Sequence, residues 1–558
     1  MDVNGLYNAL VDWRTLTDAL TTAQNSAAAK VGAPLRDSQW TGLAADKAYI
    51  GLNILADDLL YAASQARMIS TVLTDMHGFF ETMRNELRKL IDSAAGLYTV
   101  NDDGSVSYVE EVPSPGANQS VLDNIEAENT TRRNAAAAVA WLMQSVADAD
   151  KKFADTLRLL NVAPGRHVHL ATWRDNAQDA QAVSAMTTLD LAAIPRDNPQ
   201  AAAAWWAGLS LAQQQEYLAL APQVVGATDG LPAAVRDQAN RTVLKQEIAD
   251  LQHKFDLTKG TAARSEWPVE LRSAQDWHRE RDRLDAMLLL QSKIDYRMTA
   301  EENPYGQAVP PMYLLGYDNS GAGKAIVAVG NPDTADNVVI NVPGQGANLA
   351  GVDDYIDRAA AVQGAAVDAD PTRTTSSVMW LGYEAPQNFL LDASRTEAAD
   401  HGAPKLTRFD TGLDAARQGP PAHTTVVAHS YGGLVAGRAL EREGMQVDEF
   451  VVLGGVGVGP DHVSALNMPP EHVYAGTAPN DPVPGWASST DPTEWFSGDG
   501  DHRFGKDPTS EDFGARELPV DYAPGGSDAF NWDAHRSYWT YGSSSLEAIG
   551  RVAAGGEP

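Results

Sequence analysis

The strongest chemical signal in the chain is a serine at the end of a β-branched run. In Thr424-Thr425-Val426-Val427-Ala428-His429-Ser430-Tyr431-Gly432-Gly433-Leu434-Val435-Ala436, an apolar strand pattern stops at Ser430 and a helical pattern begins almost at once. A strand–turn–helix of the form G-x-S-x-G lifts a serine clear of the sheet and exposes its hydroxyl. The serine backbone is held in a strained conformation there, so side chains two residues before and two after it must be small. Gly432 meets that demand, and Ala428 stands where glycine is usual, a small residue but a departure. The helix that follows aims the positive end of its dipole at the place where an oxyanion would form.

A serine hydroxyl is a weak nucleophile at its own pKa, so a base must stand beside it. An acid must then fix the tautomer of that base and stabilise its cation. With such an elbow the partners follow in the order serine, acid, histidine. Two strands come after the elbow helix, Val447–Gly455 and Glu471–Gly476, and the acid belongs just past the second. Asp481, in Asn480-Asp481-Pro482-Val483, fits that place. Asp461 comes too early, and Asp491, Asp499 and Asp501 lie in loop. His502 and His535 compete as the base, and His535, just before the last helical stretch, is preferred. His423, His429 and His472 read as ordinary structural histidines, the first and third at strand starts and the second flanking the elbow.

Acyl transfer also needs two backbone N–H donors for the oxyanion. One belongs to Tyr431, directly after the nucleophile. The other is expected from the loop after Val338–Val342, where Pro343-Gly344-Gln345-Gly346 allows close backbone approach. Gln345 is the expected donor, with Gly344 and Gly346 shaping the loop.

These residues need a sheet to hold them, and the second half of the chain has its pattern. Short apolar runs at Tyr313–Tyr317, Ala325–Val329, Val338–Val342, Val378–Gly382, Thr425–Ala428, Glu449–Leu453 and His472–Ala475 read as strands. Helical candidates at Val352–Val367, Thr407–Gln418 and Leu434–Glu443 separate them. Two strands joined by a Gly-rich turn, then strand–helix units, predict an α/β sheet that is mostly parallel with an antiparallel start. Glu494–Tyr538 reads as a long loop, of the kind that is usually functional or mobile.

From Leu6 to about Ala300 the pattern is helical, with long segments at Leu43–Ala95, Val121–Leu160, Pro199–Ala221, Leu231–Leu257 and Ser273–Tyr296. Leu97–Tyr108 interrupts it with a hairpin signal around Asn101-Asp102-Asp103-Gly104. The expected organisation is a helical domain at 1–165, a helical linker or lid-like segment at 166–305, and the α/β domain at 306–558. Trp205-Trp206 reads as core packing, with a lining role in a lid or acyl pocket as the alternative.

Composition narrows the chemistry. With 42 Lys and Arg against 74 Asp and Glu, the net charge is −32 over 558 residues, which repels phosphate backbones and argues against nucleic-acid binding. There is no cysteine, so thiolate metal sites, disulfides and Cys nucleophiles are out. No apolar run approaches the roughly 18 residues of a membrane span, and the acidic start lacks the form of a classical signal peptide. No metal or organic cofactor is implied.

With these residues in place, the chain resembles the α/β-hydrolase superfamily. It looks most like an actinobacterial branch long catalogued as a domain of unknown function. The resemblance rests on Val342-Pro343-Gly344-Gln345-Gly346, on Trp380-Leu381-Gly382-Tyr383-Glu384-Ala385-Pro386, and on the elbow followed by Asn480-Asp481-Pro482 and His535. Trp205-Trp206, Leu231-Pro232, Arg236-Asp237 and Asn240-Arg241 look like a helical segment that accompanies this branch. The likeness covers about Asn198 to Gly542. It implies a serine hydrolase, most plausibly an esterase or lipase acting on a small-molecule or lipid ester. An acyltransferase, or a secretion-associated binding module on a hydrolase scaffold, is the alternative. Gln39-Trp40-Thr41-Gly42 between two helical patterns is similar to the Trp-x-Gly turn of helical hairpins exported by type VII secretion. That likeness implies a type VII secretion partner and a location either cytoplasmic or reached by that non-classical route. Tyr98 and Asp102 have the spacing of the matching export signal, but they fall inside the hairpin and are read with it.

Overall fold

A computed structural model describes residues 3–27, 43–93, 96–160, 170–185, 189–259, 267–296, 304, 309–387, 396–483, 504–522 and 533–558. The chain divides into two compact units, Met1–Leu189 and Asp190–Pro558.

Among its described residues the first unit has four helices: α1 (Val3–Ala27), α2 (Leu43–Asp92), α3 (Gln119–Leu159) and α4 (Leu170–Ser184). Helices this long form because Ala, Leu, Gln and Glu carry little entropic penalty there, and each buries one stripe. Met68, Val72, Phe80, Val139, Phe153 and Trp173 are buried in it. Between α2 and α3 lies a hairpin of β1 (Thr99–Val100) and β2 (Val106–Ser107), which pair antiparallel. The Tyr98 hydroxyl donates to the Leu90 carbonyl at the end of α2, so this residue serves the hairpin's attachment. Gln39–Gly42, the Trp-x-Gly turn, lies outside the described residues.

The second unit begins with helices. The single pattern expected over Pro199–Ala221 is two helices, α5 (Pro199–Gly208) and α6 (Leu211–Leu220). Ser210 splits it, because its hydroxyl accepts from the Gln213 N–H while the Gln213 side chain accepts from the Ser210 N–H. Trp206 is buried, and Trp205 meets Tyr217 edge-on with ring centroids 4.9 Å apart, which is core packing. A short α7 (Pro222–Gly226) leads to the long α8 (Ala233–Thr258) and α9 (Ala274–Asp295).

Among the described residues the sheet has eight strands, in the order β10-β9-β8-β7-β5-β6-β4-β3. They are β3 (Met312–Asp318), β4 (Lys324–Val329), β5 (Asn337–Val342), β6 (Thr375–Leu381), β7 (His423–His429), β8 (Glu449–Leu453), β9 (Val473–Gly476) and β10 (Arg516–Glu517). The β3–β4 and β4–β6 pairings are antiparallel and all others parallel, the architecture expected from the sequence. β10 falls inside the stretch expected to be loop. It is two residues long and defined by pairing with β9, with the Leu518 N–H donating to Ala475, so periodicity could not reveal it. Covering helices include α10 (Val352–Ala369), α11 (Glu397–Ala416), α12 (Tyr431–Arg442) and α13 (Ser544–Ala553). α11 starts ten residues before the expected Thr407 and runs through Pro404, a residue that reads as a helix stop in sequence.

β3 is an edge strand, and α8 covers its backbone with polar side chains. Asp237 accepts from the Leu314 N–H at 2.6 Å, Asn240 donates to the Leu314 carbonyl at 2.9 Å, and Arg241 donates to the Met312 carbonyl at 3.0 Å. This blocks an open row of donors and acceptors that would otherwise template aggregation. The segment Arg236–Arg241 noted in the sequence therefore has a structural task.

Candidate active site

Parallel strands end at one edge of a sheet, and that edge gathers the candidate residues. Val342 pairs with Ala428, and His429 with Leu453, while Leu453 in turn pairs with Gly476. The residues just beyond β5, β7, β8 and β9 are thus neighbours in space, although the chain visits them far apart.

Ser430 stands beyond β7 with φ 53° and ψ −124°, a positive φ at a residue with a side chain. Such a conformation costs roughly 1–3 kcal/mol and persists only where surrounding structure imposes it. Here the Ser430 N–H donates to the Leu453 carbonyl at 3.0 Å, and the Ser430 carbonyl accepts from Gly433 at 3.0 Å as α12 begins. A Cβ on Gly432 would strike the Val342 carbonyl oxygen, which explains the glycine two after the serine.

The loop after β5 lies against Ser430. A Cβ on Gly344 would come 2.7 Å from Ser430 Cβ and 3.2 Å from its Oγ. The loop is held from behind by the Trp380–Pro386 segment: the Tyr383 hydroxyl donates to the Pro343 carbonyl at 2.8 Å, and the Gly346 N–H donates to the Pro386 carbonyl at 2.8 Å. Trp380 stacks on Tyr383 with centroids 5.9 Å apart. Gln345 and Gly346 line the cavity at Ser430. Tyr431 turns its ring inward, where burial pushes the phenol up to about 12 and its oxygen accepts from the Ala399 N–H, leaving its backbone as the first residue of α12.

Asp481 is fully buried and both of its oxygens are used. Oδ1 accepts from the Val483 N–H at 2.9 Å, the turn-capping role its Asn-Asp-Pro setting suggests. Oδ2 meets His535 Nδ1 at 2.8 Å and accepts from the Tyr538 hydroxyl at 2.6 Å. Because an ionised carboxylate only accepts, Nδ1 carries the proton and Nε2 of a neutral His535 keeps its lone pair. Ser430 and His535 line one cavity of about 760 Å³. No hydrogen bond joins them directly among the described residues. Contacts of this kind are commonly open in free enzymes and close around substrate.

Three supporting residues carry no sequence signal of their own. Gly454, at φ 52°, follows β8 directly beneath the Asp481–His535 contact, and a Cβ there would come 2.7 Å from Asp481 Oδ2 and 3.0 Å from His535 Nδ1. Tyr538 belongs to the hydrophobic core, and its hydroxyl also accepts from the Ala478 N–H at 3.2 Å. His429, read as structural, lies beside His535: its Nε2 donates to the His535 carbonyl at 2.8 Å and its ring lies 4.4 Å from that of His535. Burial, together with His535 and Arg358, holds the His429 imidazole neutral, well below its usual 6.5.

Of the other candidates, His423 and His472 sit where β7 and β9 start, at the opposite edge of the sheet, where His472 meets Glu449 at 3.0 Å. Asp461 is exposed and does not line the cavity. Asp491, Asp499, Asp501 and His502 lie outside the described residues. Among the described residues, no group of three or more metal-ligating side chains occurs and no helix is long and apolar enough to cross a membrane.

Comparison with known proteins agrees with this architecture. The model of a family described as alpha/beta hydrolase matches residues 318–489, a span that includes Ser430 and Asp481 and stops short of His535. An uncharacterized protein of Mycobacterium tuberculosis is 27% identical over 369 residues, 63% of this chain and 55% of that protein. A shorter uncharacterized protein of Mycobacterium bovis is 28% identical over 199 residues, 34% of this chain and 71% of its own. The chain thus spans about half the length of the first of these relatives. No solved structure matches it significantly. The second unit has the α/β-hydrolase fold, a mostly parallel sheet flanked by helices, and a large helical region precedes it.

Proposed function

We propose that the protein is a serine-dependent carboxylic ester hydrolase. The observation that carries this reading is the hydrogen bond between Asp481 and His535 Nδ1, on the cavity where Ser430 stands at positive φ. Ser430 Oγ attacks the ester carbonyl while His535 Nε2 takes its proton. The Tyr431 and Gln345 N–H groups receive the oxyanion, with Gly344 leaving room for it. The C–O bond breaks as His535 returns the proton to the leaving alkoxide, giving an acyl-serine. Water repeats the sequence, releasing the acid and restoring Ser430. Asp481 holds the tautomer throughout.

The cavity is lined by Asn348, Asp354, Arg358, Asp533 and Arg536, which favours short or polar esters over long acyl chains. Two measurements test the reading: labelling by a fluorophosphonate probe and turnover of esters of graded length. Ser430→Ala is expected to abolish labelling and to lower kcat on the order of 10³-fold or more. Labelling elsewhere, or unchanged turnover in that variant, ends it.

A further inference from the structure

Resting on that reading, we propose that the site takes esters carrying an anionic group, a carboxylate or a phosphate, which Arg536 anchors beside Ser430. The cavity holds two guanidinium groups and two carboxylates. Arg358 is already committed. Its Nη2 donates to Asp354 at 2.6 Å, and its guanidinium lies over the rings of Trp539, at 4.5 Å, and Tyr355, at 5.1 Å. Asp354 is thereby neutralised, and stacking fixes Arg358 as part of the wall. The Asp533 carbonyl accepts from the Arg536 N–H at 3.0 Å, which starts the 3₁₀ turn Ala534–Trp539.

Arg536 is different. It is exposed, it lines the cavity one residue from His535, and among the described residues its side chain meets no carboxylate. At the mouth of a candidate active site, a guanidinium with no carboxylate partner among the described residues is free to meet an anion. Guanidinium matches the two-oxygen edge of carboxylate and phosphate with parallel hydrogen bonds, which fixes orientation as well as affinity. A substrate tethered there would have its ester carbonyl within reach of Ser430.

The test compares p-nitrophenyl butyrate with p-nitrophenyl hemisuccinate, which differ by a terminal methyl against a carboxylate. The hemisuccinate is expected to have a kcat/KM about tenfold higher, the size of one charge-assisted contact at an exposed site. In Arg536→Gln that ratio falls to about one, while Arg536→Lys keeps part of it. A general disturbance of neighbouring His535 would lower both esters and leave the ratio unchanged, which overturns the assignment. Competition by succinate and by inorganic phosphate against the butyrate then separates the two anion sources. Ser430 labelling with no advantage for the hemisuccinate overturns the anion site and leaves the serine hydrolase standing. Absence of both labelling and turnover in folded protein overturns the hydrolase reading, and this inference with it.

Discussion

Asp481 accepts three hydrogen bonds, and each does a different job: Val483 closes the turn, His535 is oriented, and Tyr538 supplies a second donor to the same oxygen. Tyr538→Phe leaves the core packing intact and removes that donor. Its expected effect is a fall of about tenfold in kcat with little change in KM, read from initial rates on a short ester. His429 makes a pH prediction. Folded, it is neutral and buried; unfolded, it takes up a proton below its ordinary 6.5. The unfolded state therefore binds more protons, so this contribution to stability is complete above about pH 6.5 and is lost as pH falls. Denaturant titrations should show, as pH falls below about 6.5, a slope approaching about 1.4 kcal/mol per unit that His429→Gln lacks. Equal slopes would mean that His429 is not held neutral. Neither role was legible in the sequence, because a tyrosine or histidine next to a candidate residue looks the same whether it supports that residue or only fills space.

At the level of elements, the site depends on how closely the β5 loop approaches the elbow. Gly344 leaves no room for a Cβ beside Ser430, so Gly344→Ala must push the loop or the serine away. An expected loss of about 10²-fold in kcat/KM, with an unchanged circular dichroism spectrum, follows from displacing reacting groups by even 1 Å. Retained turnover would show that the loop is not the oxyanion donor. The elbow itself was legible because its demands are local: a β-branched run, a strained serine, Gly432 two residues later, and a helix. The junction of Asp481 with His535 was legible only as an order of residue types. Placing Gly454 beneath the pair needed the parallel register that sets the ends of β8 and β9 side by side.

For the molecule as a whole, Ser430, Asp481, His535 and the β5 loop all fall within the unit Asp190–Pro558, which has its own sheet and core. Residues 190–558 expressed alone are expected to unfold cooperatively and to be labelled at Ser430 at the rate of the full chain; a fragment that does not fold, or folds unlabelled, refutes this. By itself the sequence determined the mostly parallel sheet, the helical half before it, and the strand–turn–helix at Ser430. Strand and helix periodicity and turn chemistry act over a few residues, and they leave their mark in residue order. Only the tertiary structure decided which distant side chains meet, that a core tyrosine shares Asp481 with His535, and that polar side chains line the cavity among the described residues. Those outcomes depend on strand order and register, which arise when separate segments of chain pack together and are written in no single one of them.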